Sequence, residues 1–326
     1  MNYNDLTFEK LGDNIEICIS TEHRFGTDAF LLADFAKPRH KDKVCDFCTG
    51  SGIVALLMYK NFQPAHIYAL EIQEKAHDQL KISLERSEIV TITPVLGDLK
   101  DWRAENELDL ITCNPPYKID NTGAKNDLEA VSIARHEMMC TIDDVCKSAA
   151  KNLKFGGRLC VCNRPQRLCD IMIAMRSSGI EPKRVRFVSK NPKTAPWLVL
   201  VEGRKGGNPF LQVEPQFYTQ NGNGGFSDEL KELYSQPDNK QLFSNLDKLH
   251  TTDSGIERIK KNLSLTTDDV VNWCREKIKS PKAQISRKGK NWYISENDCV
   301  ITVNANNFTI ITAHKIRKGK VNEIIV

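Results

Sequence analysis

The chain has 326 residues, of which 40% are hydrophobic and 27% are charged, and its formal net charge is +4. This composition is typical of a globular protein, and the length suffices for two domains of roughly 100–200 residues each. No apolar run approaches the ~20 residues of a membrane helix, and the first residues do not form a signal peptide, so we expect no membrane segment. The 11 cysteines are scattered, which favours reduced thiols and a cytoplasmic location.

Strands and helices alternate after a short N-terminal hairpin at about residues 5–20. The strands are almost continuously apolar, and amphipathic helical segments such as Gln73–Arg86 and Ile142–Leu153 separate them. This pattern predicts a parallel sheet covered by helices on both faces. The predicted strands are Val44–Phe47, Ile67–Leu70, Ile92–Leu96, Leu108–Cys113, Gly157–Cys162, Val185–Val188 and Trp197–Val201.

The last third of the chain has a different pattern. Residues 208–240 are rich in Gly, Asn, Gln and Pro, which indicates an ordered tail and a linker. Two helical segments at about 242–263 and 267–279 follow, and then the alternation of an antiparallel meander. We therefore predict one domain at 1–207, a linker at 208–240 and a small α+β domain at 241–326.

A glycine-rich turn and two acidic residues follow the first three strands of the predicted sheet. The segment Asp46–Gly52 directly follows the first strand, and its glycines allow a tight turn that approaches a ligand closely. Glu71 ends the second strand and could accept both ribose hydroxyls of an adenosine-containing cofactor. Asp98, after the third strand, could contact an adenine amino group or cap a helix. The turn by itself also fits simple packing, and it is not the GxGxxG of nicotinamide enzymes.

The tetrapeptide Asn114-Pro115-Pro116-Tyr117 follows the fourth predicted strand. Its prolines fix the backbone and remove two donors, which leaves the Asn114 side-chain oxygen and the Pro115 carbonyl as rigid acceptors. Two acceptors that hold the hydrogens of a planar NH2 group would favour a pyramidal nitrogen and direct its lone pair towards a methyl donor. Tyr117 offers a flat face on which a planar target can stack.

With these motifs the chain resembles class I methyltransferases that act on adenine N6 or on glutamine amides. Over about residues 1–210 it resembles more closely the bacterial valine-tRNA adenine-N6 methyltransferases and their Firmicute relatives. The resemblance implies a Rossmann-like, mostly parallel sheet of seven strands whose last strand is antiparallel, and S-adenosylmethionine as cofactor. The segments that carry it are Arg24–Ala33, Asp46–Gly52, Glu71, Asn114–Tyr117, Ala134–Glu137 and Leu200–Gly207.

The motifs and the resemblance together predict the site residues. Phe25 and Thr27-Asp28 are expected at the methionine end of the cofactor, and His136 is either a substrate contact or a packed or capping residue. The catalytic residues are predicted to be Asn114, Pro115, Pro116 and Tyr117. The cofactor-binding residues are predicted to be Arg24, Phe25, Thr27, Asp28, Asp46, Cys48, Thr49, Gly50, Gly52, Glu71, Ile72, Asp98, Leu99 and Asn114. The substrate-binding residues are predicted to be Tyr117, Arg135, His136, Lys183, Arg184, Arg186 and Lys193.

Positive charge is concentrated in two parts of the chain. Residues 158–205 contain eleven Lys and Arg against three Asp and Glu, and residues 241–326 contain fifteen against nine. Such surfaces fit a polyanionic partner or are simply solvated. The resemblance, with these basic segments as secondary support, implies N6-methylation of an adenine in RNA, with tRNA favoured. The alternatives are methylation of a protein glutamine, methylation of a DNA adenine, or RNA binding by a non-catalytic protein; the oligomeric state stays open.

The C-terminal segment resembles a small bacterial domain family of unknown function, from which no activity follows. Its basic meander around Trp292 would suit RNA binding, whereas a ribonuclease-like, structural or dimerisation role is the alternative. Cys45 and Cys48 form a CxxC pair without a second pair, and the seven His show no ligand spacing. We therefore expect no metal site.

Overall fold

The computed structural model describes residues 5–12, 14–23, 25–115, 140–234, 240–280, 283–288 and 290–315. The chain forms two compact units. The first comprises the described residues of Met1–Pro38, Asp42–Tyr59 and Ala65–Ser235, and the second those of Arg39–Lys41, Lys60–Pro64 and Gln236–Val326.

The first unit is built from short strands and helices. Its strands are β1 Thr7–Gly12, β2 Ile15–Ile19, β3 Lys43–Phe47, β4 His66–Glu71, β5 Ile92–Leu96, β6 Leu108–Cys113, β7 Leu153–Asn163, β8 Ile180–Ser189, β9 Leu198–Lys205, β10 Gln212–Val213 and β11 Phe217–Tyr218. Its described helices are α1 Thr27–Ala36, α2 Ile53–Phe62, α3 Glu74–Arg86, α4 Ile142–Asn152, α5 Leu168–Ser177 and α6 Asp228–Tyr234, with a short 3-10 turn at Pro165–Arg167.

The central sheet has the strand order β10-β8-β9-β7-β6-β3-β4-β5, with β11 also pairing with β8. Strands β3 to β7 run parallel to one another, and β9 is antiparallel to both β7 and β8. Alternate residues point to opposite faces, so Leu110 of β6 packs in one apolar cluster and Ile111 in the other. The predicted seven-stranded, mostly parallel fold with an antiparallel last strand is confirmed, because β3 to β9 have this arrangement.

The N-terminal hairpin of β1 and β2 packs on α3 through hydroxyl groups. The Oγ atoms of Ser83 and Ser87 accept hydrogen bonds from the backbone N–H of Cys18 (2.8 Å) and of Glu16 (3.0 Å). These bonds satisfy strand donors that would otherwise be unpaired beside the helix. The hairpin therefore leads into α1 from a fixed position.

The segment of residues 208–240, predicted as an ordered tail and a linker, has defined structure up to Tyr234. Strands β10 and β11 both pair parallel with β8, and Leu230 and Leu233 of α6 are buried with the core residues of α1. Pairing and burial both require a defined backbone, so residues 212–234 are a structural part of the first unit. The high Gly and Asn content is confined to the turn of residues 221–225.

The second unit contains a four-stranded antiparallel sheet with the order β12-β13-β14-β15. Its described elements are α7 Lys240–Phe243, a 3-10 turn Leu246–Lys248, α8 Asp253–Leu263, α9 Val270–Ile278, β12 Gln284–Lys288, β13 Asn291–Glu296, β14 Cys299–Asn304 and β15 Ile310–Lys315. Helix α8 protects β15, because Arg258 and Asn262 donate to the carbonyl groups of Ile311 (2.6 Å) and Ala313 (3.2 Å).

Three expectations for the second unit were wrong in detail. The single helix predicted at 242–263 is divided, because Thr252 caps a new helix and accepts from the N–H of Gly255 at 3.2 Å. Asp269, and not Thr267, caps α9. Trp292, expected on an RNA-binding surface, is completely buried in the core of this unit and packs against Phe308.

Candidate functional site

A cavity of about 270 Å³ lies at the edge of the sheet where parallel strands end. This volume is near the lower end of ordinary ligand pockets, and this edge is where open parallel sheets bind ligands. Ten of the predicted cofactor residues line the cavity: Phe25, Asp28, Cys48, Thr49, Gly50, Glu71, Ile72, Asp98, Leu99 and Asn114.

The glycine turn between β3 and α2 forms one wall of this cavity. Gly50 (φ 57°) and Gly52 (φ 91°) adopt left-handed conformations. A Cβ atom at Gly52 would overlap the side chain of Leu80 on α3, whereas nothing lies within 4 Å of one at Gly50. Gly52 therefore permits close packing behind the turn, and Gly50 leaves space on the cavity side.

Backbone donors hold the carboxylate of Glu71. The residue is only 4% exposed, and its Oε2 accepts from the N–H of Gly50 at 2.8 Å. Its Oε1 accepts from the N–H of Ile72 (3.0 Å) and of Gln73 (2.9 Å). A carboxylate has about four lone-pair positions, so these three donors leave capacity for a hydroxyl group in the cavity. The carboxylate thus joins the glycine turn to the end of β4.

Asp46 braces the same turn from behind and does not line the cavity. Its two oxygens accept hydrogen bonds of 2.6 Å from the hydroxyl groups of Thr49 and Thr112. Burial raises the pKa of Asp46 to about 7, and the negative charge of Glu71 adds to this effect, while the two hydroxyl groups oppose it. The structure thus places Asp46 as a support for the turn.

Asn114 follows β6 and faces α1 across the cavity. Its Nδ2 donates to Oδ2 of Asp28 at 2.9 Å, and its Oδ1 accepts from the thiol of Cys162 at 3.0 Å. The carboxylate can only accept, so it determines which end of the amide is the oxygen. The next residue, Pro115, is buried. The chain therefore positions this amide through three different secondary-structure elements.

Asp98 faces the ligand space and also caps a local turn, which are the two positions that its place in the sequence allows. It lines the cavity, its Oδ1 accepts from the N–H of Lys100 at 2.9 Å, and its Oδ2 lies 3.2 Å from the ammonium group of Lys100. The carboxylate therefore stabilises the local turn while facing the ligand space.

Eleven residues that line the cavity were not among the predicted cofactor residues, and they include the side chains of Glu22, His23, Gln73 and Cys140. The Nε2 of His23 lies 3.2 Å from Oε1 of Gln73, and the sulfur of Cys140 lies 4.0 Å from that of Cys48. These pairs are 50 and 92 residues apart, so spacing carries no signal for them. Among these four residues, only Gln73 could have been predicted to line the cavity, because it lies two residues after Glu71.

The remaining predicted site residues lie elsewhere. Thr27 and Gly52 flank the cavity without lining it. Five others fall outside the described residues: Arg24, Pro116, Tyr117, Arg135 and His136.

The basic residues predicted to bind substrate divide into buried and exposed groups. Arg184 donates to Glu202 (3.0 Å), to Glu214 (2.9 Å) and to a main-chain carbonyl, so its guanidinium group is occupied within the fold. Arg186 pairs with Glu229 at 2.6 Å, and Lys183 donates to the carbonyl group of Asn208 at 2.9 Å. Arg184 is therefore already paired within the fold, and its role in substrate binding stays a prediction. Lys193 is exposed.

No cluster of three or more His, Cys, Asp or Glu side chains among the described residues has a metal-binding arrangement. No helix among them is long and apolar enough to span a bilayer.

Comparison with known families identifies two domains in the chain. Residues 22–176 match the methyltransferase small domain family. Residues 243–314 match a family described as a protein of unknown function, DUF3781. The first match covers α1 to α5 with strands β3 to β7 and ends before β8 and β9, and the second covers most of the second unit. The chain is thus similar to a methyltransferase domain family and, separately, to this family of unknown function, which confirms both resemblances.

The chain is also similar to individual proteins. It is 34% identical over 136 residues to the tRNA1(Val) (adenine(37)-N6)-methyltransferase of Bacteroides thetaiotaomicron, which is 41% of this chain and 56% of that protein. It is 31% identical to the enzyme of the same name from Glaesserella parasuis, over 32% of this chain and 44% of that protein. The chain thus spans about half the length of these curated relatives. A predicted O-methyltransferase from Agrobacterium tumefaciens has the same fold, with a TM-score of 0.52 and 18% identity, over 64% of this chain and 96% of that one.

Proposed function

We propose that this protein is an S-adenosylmethionine-dependent methyltransferase that modifies the exocyclic N6 amine of an adenine in RNA, with tRNA as the favoured substrate. The observation that carries this proposal is the Asn114 amide, which Asp28 holds at the rim of a cavity that the glycine turn and Glu71 complete. The domain match and the names of the relatives support the same chemistry. Eleven free thiols are in keeping with a reducing, cytoplasmic compartment.

The residues present fit S-adenosylmethionine. Glu71 would accept from a ribose hydroxyl group through its remaining lone pair, because its carboxylate is fixed by backbone donors and faces the cavity. Asp98 would accept from the adenine amine, and Phe25 and Asp28 would lie at the methionine end. When bound, this cofactor supplies an electrophilic methyl group on a sulfonium.

The acceptors at Asn114 and Pro115 would activate the nitrogen of the target amine for methyl transfer. The Asn114 oxygen and the Pro115 carbonyl would accept its two hydrogens and favour a pyramidal nitrogen whose lone pair points towards the cofactor side. This interaction is stronger in the transition state than in the ground state, which is the condition for acceleration. Asp28 acts as a positioning residue, because its bond to Nδ2 leaves the amide oxygen as the acceptor. The nitrogen loses its extra proton after transfer, so no strong general base is required.

The same acceptors could hold a glutamine amide of a protein or an adenine of DNA, so the substrate class needs a direct test. The purified protein would be incubated with methyl-labelled S-adenosylmethionine and separate pools of tRNA, ribosomal RNA, DNA and protein, followed by nucleoside mass spectrometry. We expect N6-methyladenosine in the tRNA pool. Label confined to protein or DNA would contradict the RNA proposal, and no transfer to any pool would favour a non-catalytic RNA-binding protein.

The proposed mechanism is tested by Asn114→Ala. Loss of one positioned group that acts in the transition state typically reduces kcat by about 10²–10³-fold, and we expect a loss of this size. The matched control is Asn208→Ala, because the Asn208 side chain is exposed and does not line the cavity. Full turnover by Asn114→Ala would contradict the mechanism.

We also propose that the second unit assists in holding RNA through its exposed cations. Lys261 lies on α8 and Lys290 precedes β13, and both are exposed. Reversing these two charges in the full-length protein should weaken tRNA binding and flatten its dependence on salt concentration. Unchanged affinity and slope would reject this role and favour a structural one.

A further inference from the structure

Four aromatic side chains form a continuous series that begins at the cofactor cavity. Phe25 lines the cavity, and its ring centroid lies 6.1 Å from that of Phe30 on α1. Phe30 meets Tyr234 edge to face at 4.8 Å, and Tyr234 lies 6.0 Å from Phe226. The last ring is 58% exposed. These distances are within the range of attractive aromatic pairs, so the series extends from the cavity to the surface.

Polar contacts hold the outer part of this series in place. The hydroxyl groups of Tyr234 and Thr27 share a hydrogen bond of 2.8 Å, which joins the end of α6 to the first turn of α1. The Oγ of Ser227 accepts from the N–H of Leu230 at 3.1 Å and thus caps α6 directly after Phe226. The backbone on both sides of Phe226 is therefore defined by the fold.

The hairpin that carries Phe226 lies at the same edge of the sheet as Asn114. Strand β8 runs in the same direction as β6, because both β8 and β7 are antiparallel to β9. Beyond the end of β8, the N–H of Gln220 donates to the carbonyl group of Lys190 at 2.8 Å. Gln220 in turn pairs with Phe226 across the hairpin. The exposed ring therefore lies beyond the carboxyl end of β8.

The loops around this ring contain two exposed lysines, and the acidic residues that follow Phe226 on α6, Asp228 and Glu229, pair with Lys231 and Arg186. Residues 189–197 and 219–227 contain Lys190 and Lys193 and no Asp or Glu. Both lysines are exposed. An exposed ring beside unneutralised cations is the combination with which proteins bind single-stranded nucleic acid, because the ring stacks on a base and the cations contact phosphates.

We propose that Phe226 is the stacking platform for a base next to the target adenine in single-stranded RNA. This inference rests on the proposed function and extends it by naming a residue that holds the substrate. Because each ring packs on the next, the position of α1 fixes the position of Phe226. The base stacked on Phe226 is therefore held in a fixed relation to the acceptor at Asn114. The amide at Asn114 selects the nitrogen, and the ring at Phe226 selects an unpaired strand.

The test compares Phe226→Ala and Phe226→Trp with the wild type, with total tRNA as the probe. Loss of one stacked base reduces affinity by about tenfold. For Phe226→Ala we therefore expect a KM for tRNA about tenfold higher, with kcat and the Kd for S-adenosylmethionine within about twofold of wild type. Phe226→Trp should restore the KM. The matched control is Phe210→Ala, because Phe210 is 89% exposed but precedes β10, which pairs with the first half of β8.

A second measurement covers the case in which Phe226→Ala does not fold. The fluorescence of Phe226→Trp should be quenched by tRNA beyond the change that wild type shows, because the new ring would stack on a base. An unchanged KM in Phe226→Ala, an equal rise in Phe210→Ala, or the absence of extra quenching would overturn the inference. Failure of wild-type protein to methylate any RNA would instead overturn the proposed function, so the two failures are distinguishable.

Discussion

Two buried carboxylates in the first unit have opposite surroundings. Glu71, 4% exposed, is held by three backbone N–H groups and faces the cavity. Glu202, 7% exposed, pairs with Arg158 at 3.1 Å and with Arg184 at 3.0 Å. Burial alone would raise the pKa of Glu202, but the two arginines hold it below its ordinary value. One carboxylate therefore remains available to a ligand, whereas the other is neutralised inside the fold.

The comparison teaches which charges in this protein can act on a partner. A carboxylate held by backbone donors keeps a lone pair for a ligand hydroxyl group. Glu202, together with Asp42 beside Arg158 and Glu214 beside Arg184, balances the charge of both arginines inside the fold. The exposed cations, such as Lys193, have no such buried partner. Four predictions test this division, beginning with the largest expected effect.

Glu202→Gln should give the largest loss of stability. Removing one partner of a buried ion cluster leaves uncompensated charges and costs about 3–5 kcal/mol, which denaturant unfolding at pH 7 would measure. Because the pKa of Glu202 is lowered in the folded state, wild type should lose this advantage as the pH falls through that pKa. The matched control is Glu181→Gln, whose partner Arg176 is exposed, and it should cost less than about 1 kcal/mol. Equal losses in the free energy of unfolding for the two variants would contradict the distinct role of the buried cluster at Glu202.

Asp46→Asn should change the pH dependence of stability. Asp46 has an ordinary pKa near 3.8 and a folded pKa of about 7, so the folded protein binds more protons between these values. The free energy of unfolding of wild type should therefore fall as the pH rises through this window, by at most 1.4 kcal/mol per pH unit, and level off above it. Between pH 5 and 8 wild type should lose about 2 kcal/mol more than the variant. Parallel pH profiles would contradict this expectation.

Glu71→Gln should weaken the binding of S-adenosylmethionine by about tenfold, as measured by calorimetry. The NH2 group of the glutamine side chain would face one of the three backbone N–H groups, so two donors would meet without an acceptor. The substitution would also remove one acceptor for the ribose hydroxyls. Glu22→Gln is the matched control, because Glu22 also lines the cavity but pairs with exposed Lys75. If both variants bound the cofactor equally well, the ribose role of Glu71 would be rejected.

Lys193→Ala should have the smallest effect. An exposed cation that contacts phosphate contributes one released counterion, so the slope of log affinity for tRNA against log salt concentration should become smaller by about 1. Stability should change by less than about 0.5 kcal/mol. Arg186→Gln is the informative comparison, since its partner Glu229 already neutralises the charge. An unchanged slope for Lys193→Ala would place RNA contacts elsewhere.

Much of the fold could be predicted because its signals are local. The apolar strands, the glycine turn and the acidic end of β4 each depend on residues within one strand, turn or helix. The boundaries were less accurate, as at β7, which begins at Leu153 and continues past Gly156 instead of beginning at Gly157. Strand pairing with β6 decides that boundary, and pairing involves residues far apart in the chain.

The sequence by itself determined the sheet, the position of Glu71 at a strand end and the position of Asn114 after β6. These features follow from period-two and period-3.6 patterns, which depend on immediate neighbours. Only the tertiary structure decided that Asp28 holds Asn114 across 86 residues and that Tyr234 reaches Thr27 across 207. It also decided that Arg184 is neutralised while Lys193 is exposed. The physical reason is that charge pairing, burial and aromatic contact depend on distances in space, which residue order leaves open.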